Sequence, residues 1–276
     1  MIGVKLQGRM GNQMFQFAFA YVTSKKRGKD FFISKGSSKW GLGYFVLNGY
    51  SFHPFKNRLR RILYSFSHLK PKVLYQLGPE DITAVLKESA DSDELDGYFQ
   101  SELFFAGHEQ EIKKLFELKE EYKTPFEKKY GEFFRANKTI VVHIRRTDYL
   151  TWDRGARYGT SSALPFSYAE SCLEKFNLAE YKVIFISDDI NAVKEHFGLS
   201  PDFYFESNTA IVDFQILLHA DILCLSNSSF SWWGAYLNPK TGKQVFVPEY
   251  WLGMKTAEEF PNEVVCKGWQ RLAVEL

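Results

Sequence analysis

Two adjacent arginines at the end of an apolar run are the most chemically pointed feature of this chain. Val141-Val142-His143-Ile144-Arg145-Arg146-Thr147-Asp148-Tyr149 carries a buried-strand pattern directly into His-x-Arg-Arg. A guanidinium presents a planar fork that takes two oxygens of a phosphate at once. Alternation along a strand puts His143 and Arg145 on one face and Ile144 and Arg146 on the other. One arginine then reaches a ligand while the other pairs with Asp148; the competing reading is an ion pair that only closes the strand.

Three other turns carry unusual polar chemistry. Gly8-Arg9-Met10-Gly11-Asn12-Gln13 is a glycine turn feeding a helix, where backbone can approach a ligand and the first helical N–H groups favour an anion. It is neither G-x-G-x-x-G nor a P-loop, which argues against dinucleotides and ordinary ATPases, and a plain tight turn is the alternative. Val183-Ile184-Phe185-Ile186-Ser187-Asp188-Asp189 ends a strand in two acids. These can cap the next helix, hold a ribose hydroxyl or nucleobase, or bind a metal, with capping favoured for Asp189. Cys224-Leu225-Ser226-Asn227-Ser228-Ser229-Phe230-Ser231 ends a strand in hydroxyls and an amide before a short helix, a run that offers donors to a diphosphate.

The elements that position these turns follow from periodicity. Ile2, Val4 and Leu6 alternate with polar residues as a strand would, and Asn12 is a suitable N-cap for a helix over 13–27. A strand over 31–34 completes a β-α-β opening, and 35–78 is irregular apart from a basic stretch. Helices are expected over 81–88 and 109–116, with a strand over 97–100 between them. Beyond residue 137 the alternation is regular: strands over 139–144, 183–186, 222–225 and 244–247, and helices over 166–176, 190–197, 209–219 and 230–237. Short apolar strands alternating with helices imply parallel strands covered on both faces, the doubly wound arrangement. The chain is therefore divided into two α/β domains, 1–137 and 138–276, with ligands expected at the carboxyl ends of the strands.

Composition sets the outer limits. The 276 residues are 45% hydrophobic and 25% charged, which excludes disorder, collagen and simple coiled coil. A formal net charge of +2 supplies no global field for nucleic acid. Aromatics reach 17%, enough for thick cores and for stacking on sugars. Cys172, Cys224 and Cys266 are far apart and form no metal pattern. They point to a reduced, cytoplasmic compartment, in keeping with the lack of a basic leader ahead of a long apolar stretch.

Gly8-Arg9-Met10-Gly11-Asn12-Gln13-Met14-Phe15-Gln16, the His143–Tyr149 turn and Asn227-Ser228-Ser229-Phe230-Ser231-Trp232-Trp233-Gly234-Ala235-Tyr236-Leu237 together resemble the bacterial α-1,2-fucosyltransferase family. Gly97-Tyr98-Phe99-Gln100-Ser101-Glu102 also resembles a segment of it, and the likeness runs from residue 1 to about residue 251. Members often carry Gly where this chain has Arg9. The His-x-Arg-Arg turn is shared with α-1,6- and protein O-fucosyltransferases, so it points to GDP-fucose more firmly than to a linkage.

The resemblance implies a GT-B fold, two Rossmann-like domains facing across a cleft with the nucleotide held mainly by the C-terminal one. It implies an inverting, metal-independent transfer of L-fucose from GDP-β-L-fucose to the 2-hydroxyl of a sugar, commonly galactose, with no cofactor. Carried over by position, Arg145 and His143 contact the β-phosphate, and Ser228 and Ser229 hold the diphosphate. Asp213 reads the guanine edge, with solvation as its alternative. Gly11, Asn12 and Gln13 close the donor site, and Asp188 and Asn227 join the donor-side set. Asp153 stands near the offset where α-1,6-fucosyltransferases carry an acid, and Asp148 and the acceptor-side Glu102 compete with it as general base.

Asp91-Ser92-Asp93 fits the spelling of a metal-dependent glycosyltransferase but sits in an acid-rich loop, and a non-catalytic carbohydrate-binding protein is the rival of another class. The acceptor is an oligosaccharide or a lipid-linked glycan. Lys56, Arg58, Arg60, Arg61, Lys70 and Lys72 interleave with Leu59, Ile62, Leu63, Phe66 and Leu69 and contain no acid among them. That basic amphipathic stretch has two readings: peripheral contact with the inner membrane leaflet, or a helix packing its apolar face on the core.

Overall fold

The computed structural model describes residues 1–36, 40–50, 54–67, 71–76, 80–151 and 161–275. They form two compact units, 1–119 with 261–264 and 120–260 with 265–276.

The first unit opens as read, with β1 (Ile2–Lys5), α1 (Met10–Arg27) and β2 (Phe31–Lys35). α1 starts three residues before the expected Gln13, because Arg9 takes the extended N-cap conformation and Asn12 falls inside the first turn. It stops where Lys25, Lys26 and Arg27 meet the C-terminal dipole and Gly28 turns left-handed at φ 59°. α2 (Pro54–Ser67), β3 (Val73–Gln76), α3 (Ile82–Ser89), β4 (Glu94–Gly97) and α4 (Glu109–Leu115) follow. The sheet is parallel throughout, in the order β2-β1-β4-β3. The strand expected over 97–100 instead ends at Gly97. Phe99 is left-handed at φ 51°, which turns the chain out of the sheet, and its N–H goes to the Gln76 side chain at 2.8 Å. Gly97 allows this close approach, since a Cβ there would stand 2.5 Å from the Gln76 carbonyl oxygen.

The second unit holds α5 (Glu120–Ala136), β5 (Thr139–Ile144), α6 (Phe166–Leu173), β6 (Lys182–Ser187), α7 (Ile190–Phe197), β7 (Phe203–Glu206), α8 (Ala210–His219), β8 (Ile222–Leu225), α9 (Ser229–Leu237), β9 (Gln244–Pro248) and β10 (Gln270–Leu272). It begins at residue 120 and not at 138. Phe126 and Phe134 of α5 pack on the His219 ring at 4.9 and 5.6 Å, and Gln215 donates to the Tyr122 carbonyl, so α5 belongs to this core. Its six parallel strands run β10-β9-β8-β5-β6-β7. All six residues of β5 are buried, as a central strand covered on both faces requires. The aromatic surplus goes largely into packing: Trp232, Trp233 and Trp251 are each 1% exposed or less.

Candidate active site

From β5 the chain winds outward through β6 and β7, then returns to place β8 on the other side of β5. The reversal opens a crevice beyond the carboxyl ends of β5 and β8, where doubly wound sheets bind ligands. His143 and Arg145 leave β5 there, and Ser226 to Ser229 leave β8.

His143 and Ser226 join the two strand ends. His143 Nδ1 lies 2.7 Å from Ser226 Oγ, and the Ser226 N–H donates to the His143 carbonyl at 3.0 Å. Burial, reinforced by the Arg145 cation, pushes the imidazole down to about 3. The ring is neutral at ordinary pH, so His143 serves as a fixed hydrogen-bonding group and not as a proton carrier. The recess beside it, bordered by Leu164, Phe166 and Tyr168, has a volume of about 10 Å³, room for roughly one water.

Arg145 is held by two carboxylates. Its Nη2 is 2.5 Å from Asp148 Oδ1 and its Nη1 is 2.8 Å from Asp188 Oδ2, with the Tyr149 ring 5.5 Å from the guanidinium carbon. Of the two arginines, one of which was expected to pair with Asp148, it is Arg145 that does so, because the 3₁₀ turn Asp148–Leu150 folds the carboxylate back by three residues. Asp188 also accepts the Arg146 N–H at 2.9 Å and the Thr147 hydroxyl. Burial would raise its carboxyl, but these donors and the Arg145 cation outweigh burial and hold it below the usual range. Asp188 therefore anchors the β5 exit.

Arg146 points elsewhere. Its guanidinium lies 4.3 Å from the Phe166 ring centre, and Nε is 3.7 Å from Asp189. Asp189 caps α7 by accepting the Ala192 N–H, the role favoured for it.

On the β8 side, Ser228 is the N-cap residue of α9 and makes no side-chain cap bond, and Ser229 opens the helix. The first N–H groups of that helix point beyond the strand ends. Asn227, expected on the donor side, is 1% exposed, and its Nδ2 donates to the carbonyls of Ser162 and Trp251, which ties down two loops.

Asp213 is buried, not solvated. Its Oδ1 accepts from Asn208 through both N–H (3.3 Å) and Nδ2 (3.0 Å), and burial pushes its carboxyl up to about 6 despite those bonds. Glu206 at the end of β7 accepts from Tyr130 and Asn208 nearby. β7 is two strands from β5, about 10 Å across the sheet.

In the first unit the glycine turn is knit into its own scaffold. Gln13 is 0% exposed. Its Nε2 donates to the Gly8 carbonyl and its Oε1 accepts the Gly41 N–H at 2.9 Å, so it clamps the loop after β2. Asn12 Oδ1 accepts from Gln100 at 2.7 Å. Gly11 is buried in α1. Gly8 has φ 70°, and a Cβ on it would meet Asn12 at 2.4 Å. Glu102 starts a 3₁₀ helix after Ser101, whose side chain accepts the Leu103 N–H. Asp93 of the Asp-x-Asp spelling accepts the Lys72 N–H at 3.1 Å. Asp153, and Lys56, Leu69 and Lys70 as side chains, lie outside the described residues.

Sequence reasoning missed Ser226, Tyr149 and the Glu206–Asn208 pair. Ser226 had a signal, being the first polar residue past β8, one position beyond the Leu225 that pairs with His143 in the register. Tyr149, whose hydroxyl donates to the Asn227 carbonyl at 3.3 Å, had none.

The sequence pattern of glycosyl transferase family 11 matches residues 1–272. The chain is 27% identical over 284 residues to an alpha-1,2-colitosyltransferase of Escherichia coli, spanning 93% of this chain and 94% of that protein. It is 25% identical over 285 residues to the O-antigen biosynthesis glycosyltransferase WbnK of Escherichia coli, spanning 89% and 93%. Among solved structures it is similar to the fucosyltransferase NodZ from Bradyrhizobium, with a TM-score of 0.50, 15% identity and coverage of 86% and 94%. It is also similar to POFUT1 in complex with GDP-fucose, with a TM-score of 0.51, 13% identity and coverage of 88% and 96%. These structural likenesses show the fold, α/β with parallel sheets.

Proposed function

The chain belongs to glycosyl transferase family 11, and on that premise we propose that it moves L-fucose from GDP-β-L-fucose to the 2-hydroxyl of a galactose-type acceptor, inverting C1 to give an α-1,2 linkage. The observation that carries the donor reading is the meeting of the Arg145 fork and the α9 N-terminus on adjacent strand ends, β5 and β8. Two fixed positive groups of different geometry at one crevice suit a diphosphate better than a neutral glycan. The linkage reading draws support from the name of the colitosyltransferase relative.

On this reading the fold is GT-B, and no metal is needed, because Arg145 and the helix N–H groups serve as counter-charges. The acceptor oxygen bonds to C1 as the C1–O bond to the diphosphate breaks, GDP takes the bonding pair, and a carboxylate acting as general base, from among Asp148, Asp153 and Glu102, takes the hydroxyl proton. Charge builds on the β-phosphate as cleavage proceeds, and preorganised donors stabilise it without reorienting. Asp188, the less exposed of the two carboxylates, fixes the guanidinium through Nη1. Asp148, with its side chain 50% exposed, is the carboxylate that a phosphate replaces on Nη2. Neutral His143, oriented by Ser226, adds a hydrogen bond. Asp213 of α8, bonded to Asn208 just past β7, is the group for a guanine edge.

The same relative supports a second reading in which the sugar moved is colitose. A screen of purified protein against GDP-fucose, activated colitose, UDP-galactose and UDP-glucose, with galactosides as acceptors, decides among these. Nucleotide release is the readout, and linkage analysis of the product tests the 2-hydroxyl. Turnover of a UDP-sugar, or of no nucleotide-sugar at all, overturns the proposal.

A further inference from the structure

α2 is mounted with its apolar stripe outward. The side turned to the core carries Asn57, Arg60 and Tyr64; the other residues from 58 to 66 are exposed. Asn57 Oδ1 accepts the Ile33 N–H at 3.1 Å, and its Nδ2 donates to the Ile33 carbonyl at 2.8 Å, so one side chain pairs the outer edge of β2, an edge strand. Tyr64 is buried, its ring 5.0 Å from Phe32 and its hydroxyl donating to the Asp93 carbonyl at 3.1 Å. On the opposite side Leu59, Ile62, Leu63 and Phe66 are 48%, 44%, 53% and 81% exposed. Spacing of three and four residues puts these four on one stripe. A surface helix ordinarily faces such a stripe to the core. Here specific bonds from Asn57 and Tyr64 hold it in the reverse orientation.

Charge identifies the occupant. Residues 54–72 carry six Lys and Arg and no Asp or Glu, although the whole chain has a net charge of only +2. Arg58 and Arg61 are exposed beside the stripe. A second copy docked through this face would set like charge against like. A nucleic acid would engage the arginines and leave Leu59 and Ile62 facing water or phosphate. Aliphatic and phenyl groups bordered by guanidinium groups suit one environment, the boundary between acyl chains and anionic headgroups.

We propose that α2 is a peripheral membrane-docking helix that sets Leu59, Ile62, Leu63 and Phe66 into the acyl boundary of an anionic lipid surface, with Arg58 and Arg61 at the headgroup phosphates. This does not rest on the identity of the donor sugar. No helix among the described residues is long and apolar enough to cross a membrane; the contact proposed is with one face only.

The test is co-sedimentation of the full chain with vesicles of phosphatidylcholine alone and of phosphatidylcholine containing phosphatidylglycerol. Binding to the anionic vesicles should be at least about tenfold stronger and should weaken as salt rises. Arg58→Glu with Arg61→Glu, and separately Leu59→Ser with Phe66→Ser, should each lower it on the order of tenfold. Thermal melting checks that the variants fold. As an independent readout, Phe66→Cys carrying an environment-sensitive fluorophore should shift to the blue on anionic vesicles only; Cys172, Cys224 and Cys266 are buried and out of the label's reach. Equal binding to both vesicle types, no binding, or an unchanged Leu59→Ser, Phe66→Ser variant overturns the proposal. So does a vesicle-indifferent chain that binds RNA, or one that dimerises through this face.

Discussion

His143 Nδ1 and Ser226 Oγ meet at 2.7 Å, and that contact locks the ends of two neighbouring strands at the point where the sheet reverses its winding. Because the ring is neutral and buried, the hydroxyl selects its tautomer and its tilt.

Ser226→Ala should therefore act on both stability and turnover. A buried ring nitrogen loses its partner, at a cost of about 1–2 kcal/mol, which shifts the melting temperature by roughly 2–8 °C. Transfer should fall by about tenfold through misorientation of His143, while the pH profile between 6 and 8 keeps its shape because the ring is already neutral. A new titration in that window would show that Ser226 is what keeps the ring uncharged.

The second unit was legible in the sequence because its central strands β5, β6 and β8 are short, continuous apolar runs closed by polar turns. The strands left unread, β3, β7 and β10, are all edge strands. β7 is only half-buried along its length, so no continuous apolar run marks it. At the site, strand-end position was legible and pairing was not. Asp148 reaches Arg145 only through the 3₁₀ turn that follows, a backbone path that alternation does not encode. Gln13 and Asn227 show the same limit from the other side. Residue type marks them as hydrogen-bonding groups, but only the fold shows that they spend those bonds on backbone.

Asp148 and Asp188 share one guanidinium, yet their variants should diverge. Asp148→Asn removes the exposed competitor of a phosphate, so GDP should bind more tightly, by a few-fold, with transfer retained. Asp188→Asn loosens the more covered of the two anchors of Arg145 and frees the Arg146 N–H, so kcat should fall by about tenfold or more. Calorimetric GDP titration and steady-state kinetics separate the two. Complete loss of transfer with intact GDP binding in Asp148→Asn would mark Asp148 as the general base.

Asp213 supplies a pH dependence with a definite sign. Its carboxyl sits at about 6 in the folded chain against 3.8 unfolded, so the folded state holds the proton more tightly. Its contribution is complete below pH 3.8 and is lost as pH rises through 6. Asp213→Asn abolishes that loss. The variant should melt higher than wild type at pH 7.5 and lose this advantage near pH 4, while GDP affinity at pH 7.5 drops if the carboxylate meets guanine. His143 works in the opposite sense: its pKa is depressed, so stability falls as pH drops below 6.5 toward 3. The comparison must therefore be made between variant and wild type at each pH.

Turnover should survive chelation. The diphosphate's counter-charges in the proposed site are Arg145 and the α9 N-terminus, neither of which EDTA removes. Initial rates with and without EDTA should agree within about twofold. Loss of all turnover, restored by Mn²⁺, would shift the reading to Asp91 and Asp93.

Arg145→Lys is the sharpest test of the donor site, and Arg146→Lys is its internal control. Lysine keeps the charge at 145 but not the planar fork, and it cannot hold Asp188 with one nitrogen while meeting a phosphate with another. If Arg145 only closed the strand, the exchange would cost about 1 kcal/mol or less with turnover nearly normal. If it grips the β-phosphate as charge develops, kcat should fall on the order of 10²–10³, with the melting temperature moving by a few degrees at most. Arg146 lies on Phe166, away from the crevice, so its lysine variant should give up the stacking, about 0.5–1 kcal/mol of stability, with kcat close to wild type. Kinetics for GDP-fucose and melting curves, taken on both variants side by side, turn the two adjacent residues into opposite signatures. Matching signatures, or near-normal kcat in Arg145→Lys, would remove Arg145 from the chemistry and the proposed donor site with it.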